Sequence, residues 1–368
     1  MPWQELVLYA VFVFTVTGVA SFLFSKISLK LAVKYQVLDV PKSARKIQTH
    51  AIPLLGGLGI GITLLLAVTG FILFSNLWVG KINAIQLIGF ALGVVILIIG
   101  GIIDDKYDLK AWKSILFPIL AAIIVVITGT SIIHVTDPTN SAPLFLNWWH
   151  LSIGAWNLSL PNDLLTVIWL IVAIYATKIT DGLDGLVSGI AIIGASMVGL
   201  LSAMPTFYQP STTMLSAMVA GSFAGFLPNN RHPAKQYLGE AGSTLAGFCL
   251  GFLAIVSSAK LAIALAVLAI PIADIGFVVL RRMLNHRPWF KGDSSHLHFR
   301  LLAAGMPHRR AVHLFWLVSA SAGFAALFLQ TRGKLFLVFI LIITTLLISW
   351  MADRAIQRRL PKPKNETN

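Results

Sequence analysis

The chain has 368 residues, of which 57% are hydrophobic and 11% charged, against roughly a quarter charged in ordinary globular domains. That balance excludes a soluble globular fold and fits an integral membrane protein, whose spans need about 20 apolar residues each. The net charge of +14 has the sign favoured by cytoplasmic loops and anionic headgroups, so no nucleic-acid partner is needed to account for it.

Taken in chain order, the apolar runs predict an all-α fold of eleven transmembrane helices, over residues 6–24, 52–74, 86–103, 114–130, 163–178, 185–203, 212–227, 243–257, 259–280, 311–329 and 335–352. Their lengths suit helices rather than barrel strands. Residues 1–352 are expected to form one membrane domain and 353–368 a basic cytoplasmic tail. Segment 1–24 lacks the basic n-region and small-residue cleavage site of a signal peptide and reads as the first span.

Orientation follows from Lys and Arg, which favour cytoplasmic helix ends. With the N-terminus periplasmic and the C-terminus cytoplasmic, 24 of the 28 basic residues fall inside, leaving Lys81, Lys260, Arg332 and Lys334 outside. One exterior loop, Ser141 to Asp163, alternates in HLSIGAWNLSL. It predicts a short periplasmic β-hairpin, with Trp148, Trp149 and Trp156 at the interface. The single cysteine, Cys249, lies in a span without an intrachain partner.

Eleven of the fourteen acidic residues fall on the cytoplasmic side on this topology. Asp104, Asp105 and Asp108 sit in IIDDKYDL, Asp181 and Asp184 in TDGLDG, and Glu240 in YLGEAGS. Carboxylates near membrane cores tend to line cavities or functional paths. The spacing of Asp181 and Asp184 would place both on one helix face. The same side carries Arg45, Lys46 and His50 ahead of Gly56-Gly57, and HLHFR with His296, His298 and Arg300. Carboxylates, cations and histidines on one face supply what phosphoryl transfer needs: metal ligands, anion clamps and proton carriers. Acidic, glycine-interrupted spans also build transporter ion sites, but here the acids gather at one face and no inverted repeat is visible.

Five segments, LDVPKSARKIQTHAIPLLGG, DDKYDL, TDGLDGL, FLPNNRHPAKQYLGEAGS and HLHFRLL, run in this order from residue 38 to 302. Together they resemble the polyprenyl-phosphate N-acetylhexosamine-1-phosphate transferases, glycosyltransferase family 4. The resemblance implies a bacterial inner-membrane enzyme, its site facing the cytoplasm. Such an enzyme moves a sugar phosphate from a UDP-N-acetylhexosamine to undecaprenyl phosphate and releases UMP, with Mg2+ or alternatively Mn2+. It also implies a homodimer. By position, Asp104 and Asp105 would act on the lipid phosphate, with Asp181 in the catalytic DGLDG motif. Asp184 and Asn230 would hold uridine; His296, His298 and Arg300 would handle the diphosphate and sugar. Glu240 would bind the metal, and Arg45, Lys46 and His50 would form a basic entry. The HLHFR form resembles the branch that uses UDP-N-acetylglucosamine and related sugars to initiate O-antigen, teichoic-acid or capsule-type polymers.

Several positions depart from the family pattern. Lys178 stands for an asparagine, Glu240 for an aspartate, Phe299 for the last histidine, Gln48 for a histidine, Ser114 for a lysine and Tyr175 for an asparagine. An ammonium has only donors and cannot ligate a metal. Lys178 therefore has two readings: it pairs with Glu240 and supplies part of the metal's charge, or it marks a relative that binds substrate without turnover.

Overall fold

The computed structural model describes residues 2–41, 50–74, 82–137, 142–146, 148–153, 156–257, 261–286 and 295–359. In chain order the elements are α1 (Trp3–Lys34), β1 (Leu38–Asp39), β2 (Ile52–Pro53), α2 (Gly56–Phe74), α3 (Ala84–Tyr107), α4 (Ala111–Ser114), α5 (Leu116–Ile127), β3 (His134–Thr136) and β4 (Pro143–Phe145). They continue with β5 (Trp149–Ile153), β6 (Trp156–Leu160), α6 (Asn162–Thr180), α7 (Leu186–Ala203), α8 (Pro210–Asn230) and α9 (Gly239–Val256). The last are α10 (Leu261–Val267), α11 (Ala269–Leu284), α12 (Leu297–Ala303), α13 (His308–Phe328) and α14 (Thr331–Arg359).

Every expected apolar run falls on a helix or a broken pair of helices. Among the described residues, eight helices are long and apolar enough to cross a membrane, and nine if α10 and α11, bent by 69°, count as one span. The other two runs differ for local reasons. Residues Ala111–Ile127 form a shorter apolar stretch. Helix α8 has adequate length but carries buried Ser211, Thr212, Thr213, Ser216 and Ser222; it packs between α1 and α7, shielded by protein. This is a multi-pass membrane protein.

Small residues decide the packing. The buried face of α1 includes Thr17, Ser21, Ser25, Ser28 and Ala32, nearly one per turn, while Leu8, Phe12, Val16 and Leu23 stay exposed. A Cβ on Gly225 would lie 2.0 Å from the Gly18 carbonyl oxygen, so α8 meets α1 backbone to backbone. In lipid, where apolar burial alone gives helices little reason to associate, such close approach is what drives packing. Helix α9 forms the centre, buried along almost its whole length against α2, α3, α6 and α7.

The expected hairpin is present: β5 and β6 pair antiparallel from Trp149↔Leu160 to Ile153↔Trp156. A second small pair joins β3 to β4. At the other end, α14 runs through Arg359, so residues 353–359 continue the last helix.

Candidate active site

Three helices converge where α9 begins. The Gly56 and Gly57 N–H groups donate to the carbonyls of Tyr237 (3.1 Å) and Leu238 (2.8 Å). A Cβ on Gly57 would sit 2.1 Å from the Gly242 nitrogen, and one on Gly101 would sit 2.2 Å from the Ala241 nitrogen. Only glycine allows α2 and α3 to come this close. One turn beyond Gly101, Asp105 therefore reaches the first turn of α9, where its Oδ1 accepts the Glu240 N–H at 2.9 Å. Its Oδ2 is buried and has no hydrogen-bond partner among the described residues.

The neighbouring Asp104 is satisfied on both oxygens: Oδ1 accepts the Leu109 N–H (2.8 Å) and Oδ2 the Ser114 hydroxyl (2.7 Å). Ser114 Oγ in turn lies 3.0 Å from Lys178 Nζ. Since an ammonium can only donate, the hydroxyl accepts from Lys178 and gives its single proton to Asp104. Lys178 also forms an ion pair with Glu240, the pairing that the sequence raised.

The DGLDG segment is a turn between α6 and α7, which corrects the expectation that Asp181 and Asp184 share a helix face. Asp181 ends α6, and Gly185 opens α7 in the left-handed region, at φ 80°. Burial raises the Asp181 carboxyl well above the usual range, with the nearby charges of Glu240, Asp105 and Asp184 adding to the effect. Asp184 Oδ2 lies 2.7 Å from His232 Nδ1 and accepts the Ala234 N–H at 3.1 Å. Asn230, expected on uridine, is engaged with this turn: Oδ1 accepts the Gly185 N–H and the Ser188 hydroxyl, while Nδ2 donates to the Gln236 carbonyl.

His298, in α12, meets the same turn. A Cβ on Gly182 would lie 2.3 Å from His298 Nε2, a buried atom without a hydrogen-bond partner among the described residues. Burial pushes this imidazole down to about 3, with the charge of His296 adding, so it is neutral at physiological pH. His296 is held by Asp274, whose carboxylate lies 3.0 Å from Nδ1 and accepts the Leu297 N–H at 2.9 Å.

Asp104, Asp105, Asp181, Asp184, Glu240 and His298 are thus gathered, with His296 beside them. Arg300, expected to handle the diphosphate and sugar, has its guanidinium turned to Asp353 and Ser349 on α14. His50 is exposed, just before β2. Arg45 and Lys46 lie outside the described residues.

The donor set bears on the implied metal. Asp105 Oδ2, without a partner among the described residues, and Asp181, crowded by like charges, offer hard oxygen ligands, the kind that Mg2+ takes. Glu240, the expected ligand, has one oxygen on Lys178. A second cluster, Asp184, His232 and His308, also brings possible ligand atoms together. There the two imidazoles stack at 4.1 Å with planes 18° apart. Their in-plane lone pairs run side by side instead of converging on one ion, as His ligands of a tetrahedral metal site would.

Sequence reasoning missed Asp274, His232, His308 and Asp353. Asp274, inside the expected span 259–280, was only one of the acids counted on the cytoplasmic side, and it belongs to α11. An acid inside an apolar run was its available signal. His232 lies in a quoted motif and His308 in the first turn of a span, but neither spacing announces a partner. A cavity of about 700 Å3 opens beside them, bounded by Asp184, Arg231, Lys235, Arg309 and Trp316 among others.

Fold and site together define a polytopic membrane protein with a carboxylate and histidine centre of the phosphoryl-transfer kind. Residues 87–258 match the model of glycosyl transferase family 4. The chain is 31% identical over 349 residues to the probable undecaprenyl-phosphate N-acetylglucosaminyl 1-phosphate transferase of Bacillus subtilis, covering 92% of this chain and 91% of the relative. It is 28% identical to the decaprenyl-phosphate N-acetylglucosaminephosphotransferase of Mycolicibacterium smegmatis, covering 80% and 76%. It is also 32% identical over 185 residues to the phospho-N-acetylmuramoyl-pentapeptide-transferase of Moorella thermoacetica, covering 50% and 55%. The chain belongs to glycosyl transferase family 4.

Proposed function

We propose that the protein transfers N-acetylglucosamine-1-phosphate, or a related N-acetylhexosamine-1-phosphate, from its UDP derivative to undecaprenyl phosphate and releases UMP. The names of these relatives support the lipid phosphate acceptor and the sugar. The reaction would sit at the cytoplasmic face of a bacterial inner membrane and initiate an envelope polysaccharide of O-antigen, teichoic-acid or capsule type. A homodimer is the assembly that the resemblance implies.

One observation carries the chemistry: a buried Asp105 oxygen without a hydrogen-bond partner among the described residues, inside a cluster of carboxylates and beside a neutral His298. Left by itself, such a cluster repels the anions that must react there. A Mg2+ ion held by Asp105 and Asp181 would neutralise charge on the diphosphate. The cavity beside Asp184 has Arg231, Lys235 and Arg309 on its walls and suits an anionic nucleotide sugar. An oxygen of the lipid phosphate forms the new bond to the sugar-proximal phosphorus, and the bond from that phosphorus to the UMP oxygen breaks.

A direct attack and a route through phosphorylated Asp105 differ in one measurable way. UMP appearing stoichiometrically without lipid phosphate supports the covalent route; its absence supports direct attack. A second reading, a relative that binds nucleotide sugar without turnover, rests on the Lys178–Glu240 pair. Mg2+-independent binding of UDP-N-acetylglucosamine with no UMP release would favour it.

A further inference from the structure

We propose that Asp353, near the C-terminal end of α14, is a positioning residue for the histidine segment: through Arg300 it fixes α12 so that His298 stays against Gly182. Helix α12 has seven residues, far too few to hold its shape without tertiary support. Asp274 holds its first residue through the Leu297 N–H, and Arg300 supplies the support on the α14 side. Its Nε donates to Asp353 Oδ1 at 2.9 Å, Nη2 pairs with the same carboxylate and donates to the Ser349 carbonyl at 2.6 Å, and Nη1 donates to the Ser349 hydroxyl. Arg300 is only 5% exposed, and a buried charge without its partner is strongly destabilising.

The geometry makes the contact directional. Successive helical residues turn by about 100°, so Arg300 points to the side of α12 opposite His298. Pinning one side to α14 sets the other against the DGLDG turn. A second contact keeps the register: at Gly305, where φ is +88°, a Cβ would lie 1.9 Å from Arg359 Nη1, so the turn after α12 rests on the last turn of α14. Most of α14 is exposed along its length, and its buried stripe of Leu341, Thr345, Ser349 and Ala352 leads to Asp353. Asp353 therefore acts on the site without touching substrate.

The proposal rests on the reading that His298 works on the substrates, and the test separates the two. Amide hydrogen exchange and UMP formation are measured on full-length protein carrying Asp353→Ala, Asp353→Glu or Arg300→Lys. Losing charged hydrogen bonds should raise α12 exchange on the order of 10- to 100-fold in Asp353→Ala, with α9 unchanged and turnover reduced. Arg300→Lys, which keeps the charge but not the fork, should behave like Asp353→Ala, and Asp353→Glu should restore protection and turnover. Faster α12 exchange with undiminished turnover would uphold the latch and remove His298 from the reaction. Unchanged α12 exchange in Asp353→Ala, or equal loss of protection in α9, would overturn the proposal.

Discussion

Asp104 has a hydrogen bond on each carboxylate oxygen, whereas Asp105 keeps one oxygen buried and free of partners among the described residues. Asp105→Asn should therefore lower turnover by at least ~100-fold, the scale of losing one charge-stabilising group, while the protein stays folded. Full turnover in the purified variant would remove Asp105 from the mechanism. Lys178→Met should cost about 2 kcal/mol in unfolding free energy, because Glu240 loses its charged partner; an unchanged melting curve would show that the pair is idle. For His298 the sign follows from its depressed value of about 3 against an ordinary 6.5. The unfolded chain takes up a proton below 6.5 that the folded chain refuses. Stability is complete above that pH and falls toward 3, by up to about 1.4 kcal/mol per pH unit. Thermal melts from pH 5 to 7.5 should show this slope, and His298→Gln should flatten it. Asp181 has the opposite sign: its raised carboxyl gives stability at low pH that is lost as it ionises, so stabilisation by added Mg2+ should grow with pH.

The start of α9 shows how much one backbone position controls. Gly239 has φ +69°, and a Cβ there would lie 2.4 Å from Asp105 Oδ2. Gly239→Ala should cost about 1–2 kcal/mol for the left-handed conformation and should also depress turnover by displacing Asp105. Normal activity with lowered stability would separate the two effects. At this scale most of the architecture was legible, because an apolar run marks a helix whatever it packs against. The DGLDG turn misled: a spacing of three fits a helix face, but Gly185 takes a conformation outside the helix. The partner of Arg300 was hidden for another reason. The neighbouring His298 meets the turn, but Asp353 is 53 residues from Arg300, and no local spacing links them. The Lys178–Glu240 pair was readable because two departures from the family pattern complemented each other in charge.

At the scale of the whole molecule, basic residues predict sidedness through a 24 to 4 split. Cys249 is buried in α9, so a Cys249→Ser background is suited to labelling. Cysteines placed at Lys110 and Arg358 should react with an impermeant thiol reagent only from the cytoplasmic side, and one at Trp148 only from the outside. Labelling of Lys110 and Trp148 positions from one side would refute the topology. The most direct test of the central claim is UMP release by the detergent-purified protein, supplied with undecaprenyl phosphate and UDP-N-acetylglucosamine, with Mg2+ and with chelator. The account expects release that depends on both Mg2+ and the lipid. Folded protein that stays silent with this and other UDP-N-acetylhexosamines would contradict it.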